Sequence, residues 1–283
     1  MAWYAYPEQE TRGGRLILAR RPAGSTRFQR GQPILEQMRS SLGNPVLFCD
    51  VEDRLHLLFV VLRGHYWTTA VVNTSHSDDS GRTWSSPQAL PFEPGMMVRY
   101  PPIERQNGYY LLPAYDENRN HTAMLTAGPD GTGWFPVTRF DGMKAIQGSI
   151  VRQGESELVM MLRPCGDNRT CLRSISEDDG RSWSPVMRTA LPNPLSGVAA
   201  FQVNGTTCAV YNHTTEHRRH PLILSYSEDR GTSWSGPIHI DERAMEVSYP
   251  SFVTDPEGAA HGVYTAGRNR IQYVSFDRSW WEK

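Results

Sequence analysis

The sequence predicts an all-β fold, a six-bladed β-propeller, from a repeated turn motif, the spacing of its copies and the residue composition. The pattern Ser-x-Asp-x-Gly-x-Ser/Thr-Trp occurs three times and ends at Trp84, Trp183 and Trp234. A degenerate copy between the first two retains Gly131 and Trp134. With this copy included, successive tryptophans lie 50, 49 and 51 residues apart. At about 50 residues per blade of four short strands, the chain holds between five and six blades. We therefore predict six, with room for an incomplete first blade.

Each copy of the motif has the chemistry of a tight turn between two strands. Glycine adopts positive φ readily, aspartate accepts hydrogen bonds from turn N–H groups, and tryptophan buries a large flat surface. The copies comprise Ser77, Asp79, Gly81, Thr83 and Trp84; Ser176, Asp178, Gly180, Ser182 and Trp183; and Ser227, Asp229, Gly231, Ser233 and Trp234. Apolar stretches 55–62 and 158–162 precede two of these turns and favour strands.

The composition agrees with many short strands and excludes several function classes. The chain has 24 glycines and 20 prolines, more than a helical protein tolerates. Its formal net charge of -1 lacks the basic excess of a nucleic-acid binder, so no nucleic-acid partner is expected. The longest apolar run, 57–62, is too short to cross a membrane, and no membrane partner is expected.

Domain organisation, location and metal content follow from the same inspection. One domain over 1–283 accounts for the whole repeat. Residues after Met1 have neither a charged segment nor a long apolar core, so no signal peptide is expected in this chain. The chain as it stands suits a soluble cytoplasmic protein, or a secreted one if a leader precedes it. The four cysteines have no Cys-x-x-Cys spacing and no copy has EF-hand spacing, so neither a metal nor another cofactor is expected.

Arginine dominates the basic residues. Of the 29 lysines and arginines, two are lysines, Lys144 and Lys283, and 27 are arginines. A guanidinium group binds planar oxyanions through two parallel hydrogen bonds, which an ammonium group cannot do. An Arg-biased composition of the source explains most of these arginines equally well, so single positions need further arguments.

Several stretches outside the turns carry a family resemblance. They are 43–48 Gly-Asn-Pro-Val-Leu-Phe, 112–115 Leu-Pro-Ala-Tyr, 191–194 Leu-Pro-Asn-Pro with Ser196-Gly197, Tyr211-Asn212, 248–251 Ser-Tyr-Pro-Ser, and Tyr264-Thr265 followed by Arg268 and Ile271. The turns are similar to the Asp-box of sialidases, and the chain resembles bacterial sialidase-like proteins along nearly its whole length. The resemblance implies a propeller of the sialidase type, in which the repeated turns lie on the rim, away from the central pocket, and we therefore expect these motifs to be structural.

The resemblance also implies a mechanism and a set of residues. Sialidases clamp the carboxylate of sialic acid with arginines, and a tyrosine replaces the usual carboxylate nucleophile, which that charge would repel. Arg163 and Arg219 match clamp arginines, with Arg218 as an alternative to Arg219. Tyr249 matches the nucleophile. Further candidates for substrate binding are Arg99, Arg268 and Asn193.

Two catalytic positions depart from the family pattern. Gln147 stands where sialidases carry the glutamate that takes the tyrosine proton, and an amide accepts no proton at neutral pH. Glu246 is an alternative base for Tyr249. The arginine motif that sialidases carry near their N-terminus is absent from this sequence. In sialidases the acid/base aspartate follows that motif, and Glu8 or Glu10 is a candidate substitute for it here.

Three functions remain open. The first is an exo-acting glycoside hydrolase of sialidase type on a terminal sialic acid or another acidic sugar, with an acidic glycan as its carbohydrate partner. The second is a carbohydrate-active propeller with other catalytic residues, among Glu8, Glu10, Glu117 and His65. Glu117 follows an apolar strand and either faces a pocket or lies on a surface loop. The third is a non-catalytic propeller that binds glycans or a protein, because one fold supports all three functions.

Overall fold

A computed structural model describes residues 1–6, 13–22 and 24–282 of the chain. Within these residues, regular structure consists of 23 β-strands and two single-turn 3₁₀ helices, Trp67–Thr69 and Arg278–Trp280. The all-β class predicted from the sequence is therefore confirmed. None of the helices in the described ranges is long and apolar enough to span a membrane.

The strands form six sheets that follow one another along the chain. The first three sheets contain β1 Ala2–Ala5, β2 Arg15–Leu18 and β3 Gln32–Glu36; β4 Leu42–Cys49, β5 Leu55–Leu62, β6 Ala70–Ser77 and β7 Gln88–Ala89; and β8 Met96–Val98, β9 Ile103–Glu104, β10 Tyr110–Asp116, β11 His121–Ala127 and β12 Phe135–Arg139. The last three contain β13 Ala145–Arg152, β14 Leu158–Pro164, β15 Thr170–Ser176 and β16 Met187–Pro192; β17 Ala199–Val203, β18 Thr206–Asn212, β19 Leu222–Ser227 and β20 Ile238–Asp241; and β21 Val247–Thr254, β22 Ala260–Ala266 and β23 Arg270–Phe276.

Five of the six sheets are simple meanders. Strands adjacent in sequence pair antiparallel in the sheets that start at β1, β4, β13, β17 and β21. The third sheet has the order β12-β11-β10-β8, and β9 pairs with β10 beside this path. Short turns suffice for antiparallel neighbours, which explains why glycine and proline are frequent.

The chain divides into two units by its contacts. Unit 1 comprises Met1–Pro102, Gly108–Arg119 and Ala123–Val137, and unit 2 comprises Ile103–Asn107, Asn120–Thr122 and Thr138–Lys283. The boundary passes through the third sheet, since β11 and β12 have residues in both units. A single domain over 1–283 stays a prediction.

Each unit has an apolar core made by its strands. In unit 1, Leu16, Leu42, Leu57 and Phe59 cluster from β2, β4 and β5, with half-buried Trp84 packed against them. In unit 2, a larger cluster joins the fourth and fifth sheets. Its members are Val151, Val159, Met161, Cys171, Leu191, Val198, Ala200, Ala209, Tyr211 and Ile223, with half-buried Trp234 against them. The run Leu158–Leu162 is fully buried, as expected for a strand covered on both faces.

The repeated turns have one hydrogen-bonding pattern. In the third copy, the Ser227 hydroxyl donates to Asp229 Oδ1 at 2.8 Å and accepts from the Gly231 N–H at 2.7 Å. The Ser233 N–H donates to Asp229 Oδ1 at 2.8 Å and its hydroxyl donates to Oδ2 at 2.6 Å. The first and second copies repeat all four bonds. The motif therefore holds itself together, in agreement with a structural role.

Candidate functional site

Two of the predicted site residues occupy the same unusual backbone position in different sheets. Gln147 on β13 has φ 54° and Tyr249 on β21 has φ 57°. In both strands the pairing register shifts at this point, between Ile146 and Ser149 and between Ser248 and Ser251. Such bulges redirect a side chain near the end of a strand and recur beside functional sites. In unit 1, Asn44 on β4 is a third case, with φ 47° at a register shift.

Arg163 and Gln147 form the first pair of candidate residues in contact. Arg163 lies near the end of β14, in register with Ile146 on β13. Its Nη1 donates to Gln147 Oε1 at 3.3 Å, and Gln147 is 7% exposed. The Arg163 Nε is buried and has no hydrogen-bond partner within the described residues. Gln147, the residue that the resemblance places at the position of the base, is therefore a neutral amide that accepts from a cation, and its correspondence with that base stays a prediction.

Arg219 and Tyr249 form the second pair. The Arg219 Cζ lies 4.9 Å from the centroid of the Tyr249 ring, within the range of a cation–π contact. Arg219 belongs to the segment between β18 and β19, and its carbonyl accepts from the Val247 N–H at 2.8 Å. The Val247 carbonyl in turn accepts from Asn212 Nδ2 at 2.8 Å. These two bonds anchor the β18–β19 segment to the start of β21.

The neighbouring Arg218 is directed elsewhere. Its Nε lies 3.1 Å from Glu216 Oε2, and both side chains are more than half exposed, at 55% and 65%. Of the two arginines that the sequence left as alternatives, Arg219 is therefore the one that contacts Tyr249.

Glu246 joins two of the candidate arginines. Its Oε1 lies 3.2 Å from Arg219 Nη1 and accepts from the Ser248 hydroxyl at 2.8 Å, while its Oε2 accepts from Arg268 Nε at 2.7 Å. Burial favours the neutral acid, but the hydrogen bonds from Arg268 and Ser248 and the charges of both arginines outweigh it. The pKa of Glu246 is consequently lowered, and its carboxylate is ionised at neutral pH.

Arg268 reaches Glu246 from a tight turn. Gly267 and Arg268 have φ 59° and 55°, and the Asn269 N–H donates to the Ala266 carbonyl at 3.4 Å. Ala266 pairs with Arg270, so three residues connect β22 and β23. The Gly267 N–H also donates to the Glu246 carbonyl at 2.7 Å. The β22–β23 turn is thus fixed to the residue just before β21.

Asn193 is engaged within its own turn. It is fully buried, its Oδ1 accepts from the Ser196 N–H at 2.8 Å, and its Nδ2 donates to the Ser196 carbonyl at 3.1 Å. The same Nδ2 lies 3.4 Å from Cys171 Sγ. These contacts describe a turn-forming amide, and a role in substrate binding stays a prediction.

The remaining candidates belong to unit 1 or lie outside the described residues. Arg99 belongs to unit 1, where its Cζ lies 5.6 Å from the ring centroid of Tyr100. Glu117, also in unit 1, is half-buried, and its N–H donates to the Gly95 carbonyl at 2.9 Å. His65 is exposed. Glu8 and Glu10 lie outside the described residues.

Sequence reasoning missed two residues that hold the segment containing Glu246 and Tyr249. Ser248 donates to Glu246, and Asn212 anchors the start of β21. Both belong to stretches of the family resemblance, next to Tyr249 and Tyr211, and that neighbourhood is the signal that points to them. Among the described residues, no group of three or more His, Cys, Asp or Glu side chains is placed to hold a metal ion.

Comparison with solved structures shows the fold. The chain is similar to the Hadza microbial sialidase Hz136, with a TM-score of 0.79 and 16% identity over 96% of this chain and 60% of that one. It is similar to the intramolecular trans-sialidase from Ruminococcus gnavus, with a TM-score of 0.78 and 13% identity over 95% of this chain and 88% of that one. It is also similar to the NanB sialidase from Streptococcus pneumoniae, with a TM-score of 0.79 and 10% identity over 95% of this chain and 64% of that one.

The chain spans less than two thirds of the Hadza and Streptococcus proteins. No curated protein sequence matches it significantly. The structural likeness confirms the predicted six-bladed β-propeller of the sialidase type, in which each of the six sheets is a blade. A family model described as a BNR repeat-like domain matches residues 17–261, which is most of the chain. The protein therefore belongs to the family of BNR repeat-like domains, and its fold is the sialidase-type propeller.

Proposed function

We propose that the protein is a sialidase-like glycoside hydrolase that removes a terminal sialic acid or another acidic sugar. The observation that carries the proposal is the placement of the Arg219 guanidinium 4.9 Å from the ring centroid of Tyr249. It puts a carboxylate-binding group beside a phenol that can attack the sugar. Proteins of the same fold are described as sialidases and trans-sialidases, which supports a glycan ligand.

The arginines supply the recognition step of the proposal. A guanidinium group has five N–H donors, and the contacts of Arg163 with Gln147 and of Arg219 with Glu246 each use one nitrogen. Charge-assisted bonds from the second terminal nitrogen, Nη2 of each arginine, would hold a sugar carboxylate and orient the anomeric carbon. Neutral sugars lack this anchor, so an acidic ligand is the preferred class.

Tyr249 supplies the nucleophile. Its hydroxyl oxygen attacks the anomeric carbon, the bond to the leaving oxygen breaks, and water later hydrolyses the glycosyl–tyrosine intermediate. A neutral phenol approaches a carbon beside a carboxylate without the repulsion that a second carboxylate would meet. The tyrosine proton passes to solvent water, because the amide of Gln147 accepts none. The leaving oxygen takes a proton from solvent, or departs as an anion when the sialoside carries an activated leaving group.

A second candidate function is binding of an acidic glycan without turnover. The contact between Gln147 Oε1 and Arg163 Nη1 favours it, because an arginine-bound amide stands where the hydrolase needs a base. Both functions use the same arginines and differ in what happens to the glycosidic bond.

The test uses a fluorogenic sialoside, whose leaving group needs little acid assistance, with matching uronides and neutral glycosides. We expect slow release of the fluorophore by the native protein, loss of release in Tyr249→Phe, and a gain of about a hundredfold in Gln147→Glu through the restored base. Tyr273→Phe is the matched control, because Tyr273 lies in the same sheet and its hydroxyl contacts His261 at 2.7 Å.

The outcomes separate the two candidates. Release that survives Tyr249→Phe contradicts the assignment of the nucleophile. Binding of sialic acid with no turnover in either the native or the Gln147→Glu protein supports the non-catalytic function. If no acidic sugar is bound or hydrolysed at low salt, the proposal is wrong.

A further inference from the structure

The structure contains a carboxylate already seated between two candidate arginines. From this we infer that Glu246 is a specificity-determining residue, an internal counter-ion whose negative charge competes with the carboxylate of the ligand for Arg219 and Arg268. The inference rests on the proposed function, because it assumes that these arginines receive an acidic sugar. In this inference Glu246 acts as a counter-ion to the arginines and not as the base that deprotonates Tyr249.

Both carboxylate oxygens of Glu246 accept hydrogen bonds. Oε1 accepts from Arg219 Nη1 at 3.2 Å and from Ser248 Oγ at 2.8 Å, and Oε2 accepts from Arg268 Nε at 2.7 Å. The two guanidinium groups come from different segments, β18–β19 and β22–β23, and meet on this one carboxylate. That is the arrangement in which arginines hold the carboxylate of a ligand.

The charges of the cluster decide what an acidic ligand experiences. Two guanidinium groups and one carboxylate carry a net charge of +1, which is half the charge of the arginines alone. A ligand carboxylate that reaches these arginines also approaches Glu246, and like charges in a partly desolvated place repel each other. The side chains of Arg219 and Glu246 are 20% and 24% exposed, so solvent screens their charges only in part. Arg268 is 58% exposed, and its charge is screened more strongly.

Arg219 has contacts of its own besides the one with Glu246. Its carbonyl accepts from the Val247 N–H, and its guanidinium lies against the Tyr249 ring. Glutamine at position 246 has nearly the same shape as glutamate and retains one oxygen that can accept from Arg219 and Ser248, while its NH₂ group replaces the oxygen that accepts from Arg268. Replacing Glu246 by Gln therefore removes the charge and leaves the arginine in place.

The experiment titrates N-acetylneuraminic acid and its methyl ester, at low and at high salt, into the full-length native protein and three variants. In Glu246→Gln we expect about tenfold tighter binding of the acid at low salt, a smaller gain at high salt, and no change for the uncharged ester. Glu246→Asp retains the charge, and its affinity for the acid should stay at or below the native value.

Glu242→Gln is the matched control. Glu242 precedes β21 like Glu246, but its carboxylate pairs with His239 Nδ1 at 2.7 Å and is 70% exposed. The control loses the same charge without touching the arginines, so its affinity should equal that of the native protein. Thermal unfolding checks that all variants fold.

The failure of this inference differs from the failure of the proposed function. If the native protein binds the acid and Glu246→Gln binds it equally or more weakly, Glu246 positions the arginines and the competition is refuted. Tightening in Glu246→Asp equal to that in Glu246→Gln also refutes a charge effect. If no variant binds the acid, the acidic-sugar function and the inference both fail.

Discussion

At the scale of single residues, Gln147 and Tyr249 share a backbone conformation that neither side chain favours. Both have φ between +50° and +60°, where residues other than glycine are uncommon. Each is the third residue of its strand and opens a bulge, so each side chain leaves the regular alternation of its sheet. We attribute the strain to the placement of these two side chains at the site.

The contact of Arg219 with Tyr249 leads to a prediction about arginine chemistry. Arg219→Lys keeps the positive charge but loses the planar group that lies against the ring and forms paired bonds with a carboxylate. We expect the affinity for sialic acid to fall about tenfold, as measured by titration calorimetry at low salt. Arg218→Lys is the control, since Arg218 pairs with exposed Glu216 and its replacement should leave affinity unchanged. Equal losses in both variants would refute the assignment of Arg219.

At the scale of elements, the repeated turn depends on two successive residues with positive φ. The pairs are Ser80 and Gly81, Asp179 and Gly180, and Arg230 and Gly231, with φ between 59° and 80°. The glycine of each pair also donates its N–H to the serine that begins the motif. Conformation and hydrogen bonding thus explain why glycine occupies this place in every copy.

The need for glycine can be measured at Gly231, in the third copy of the turn. A Cβ at Gly231 would lie 3.1 Å from Arg173 Cδ and 3.1 Å from Trp234 Cζ2, and φ is 76°. Gly231→Ala should lower the free energy of unfolding by about 1–3 kcal/mol, because steric crowding adds to the cost of positive φ. Gly236→Ala is the control, since a Cβ there meets nothing within 4 Å, and its effect should stay below about 0.5 kcal/mol. Chemical denaturation measures both, and equal losses would contradict the argument.

At the scale of the whole molecule, the three motif aspartates make stability depend on acid. Hydrogen bonds from Ser233 lower the pKa of Asp229 to about 2. Burial raises the pKa of Asp178, but the hydrogen bonds that Ser182 donates outweigh this effect and lower the pKa to about 2. The N–H and hydroxyl of Thr83 hold the pKa of Asp79 well below its usual range. A carboxyl group with a lowered folded-state pKa stabilises the fold above its unfolded pKa, near 4 for aspartate, and loses that contribution as pH falls through the folded value.

We therefore expect the midpoint of thermal unfolding to fall between about pH 4 and pH 2. Solvent exposure keeps each contribution small, so the decline should be gradual. Asp229→Asn should lower the midpoint at pH 7 and reduce the further decline in acid. Asp167→Asn, at an exposed aspartate outside the turns, is the control. An identical pH profile for Asp229→Asn and the native protein would contradict the role of the carboxylate.

The sequence alone determined the repeat, the strand-rich class and the turn chemistry, because these depend on local spacing and on residues that contact their near neighbours. Ser227, Asp229, Gly231 and Ser233 bond to one another, so their arrangement is readable without the rest of the chain. The candidates Arg163, Arg219 and Tyr249 came from the resemblance to sialidases.

Only the tertiary structure decided which of these candidates meet. Arg219 contacts Tyr249 while Arg218 pairs with Glu216, although the two arginines are neighbours in sequence. Glu246 receives Arg219 and Arg268 from segments separated by about fifty residues, a length equal to one repeat. Such contacts depend on how sheets pack and where bulges turn a side chain. The spacing of residues along the chain does not contain that information.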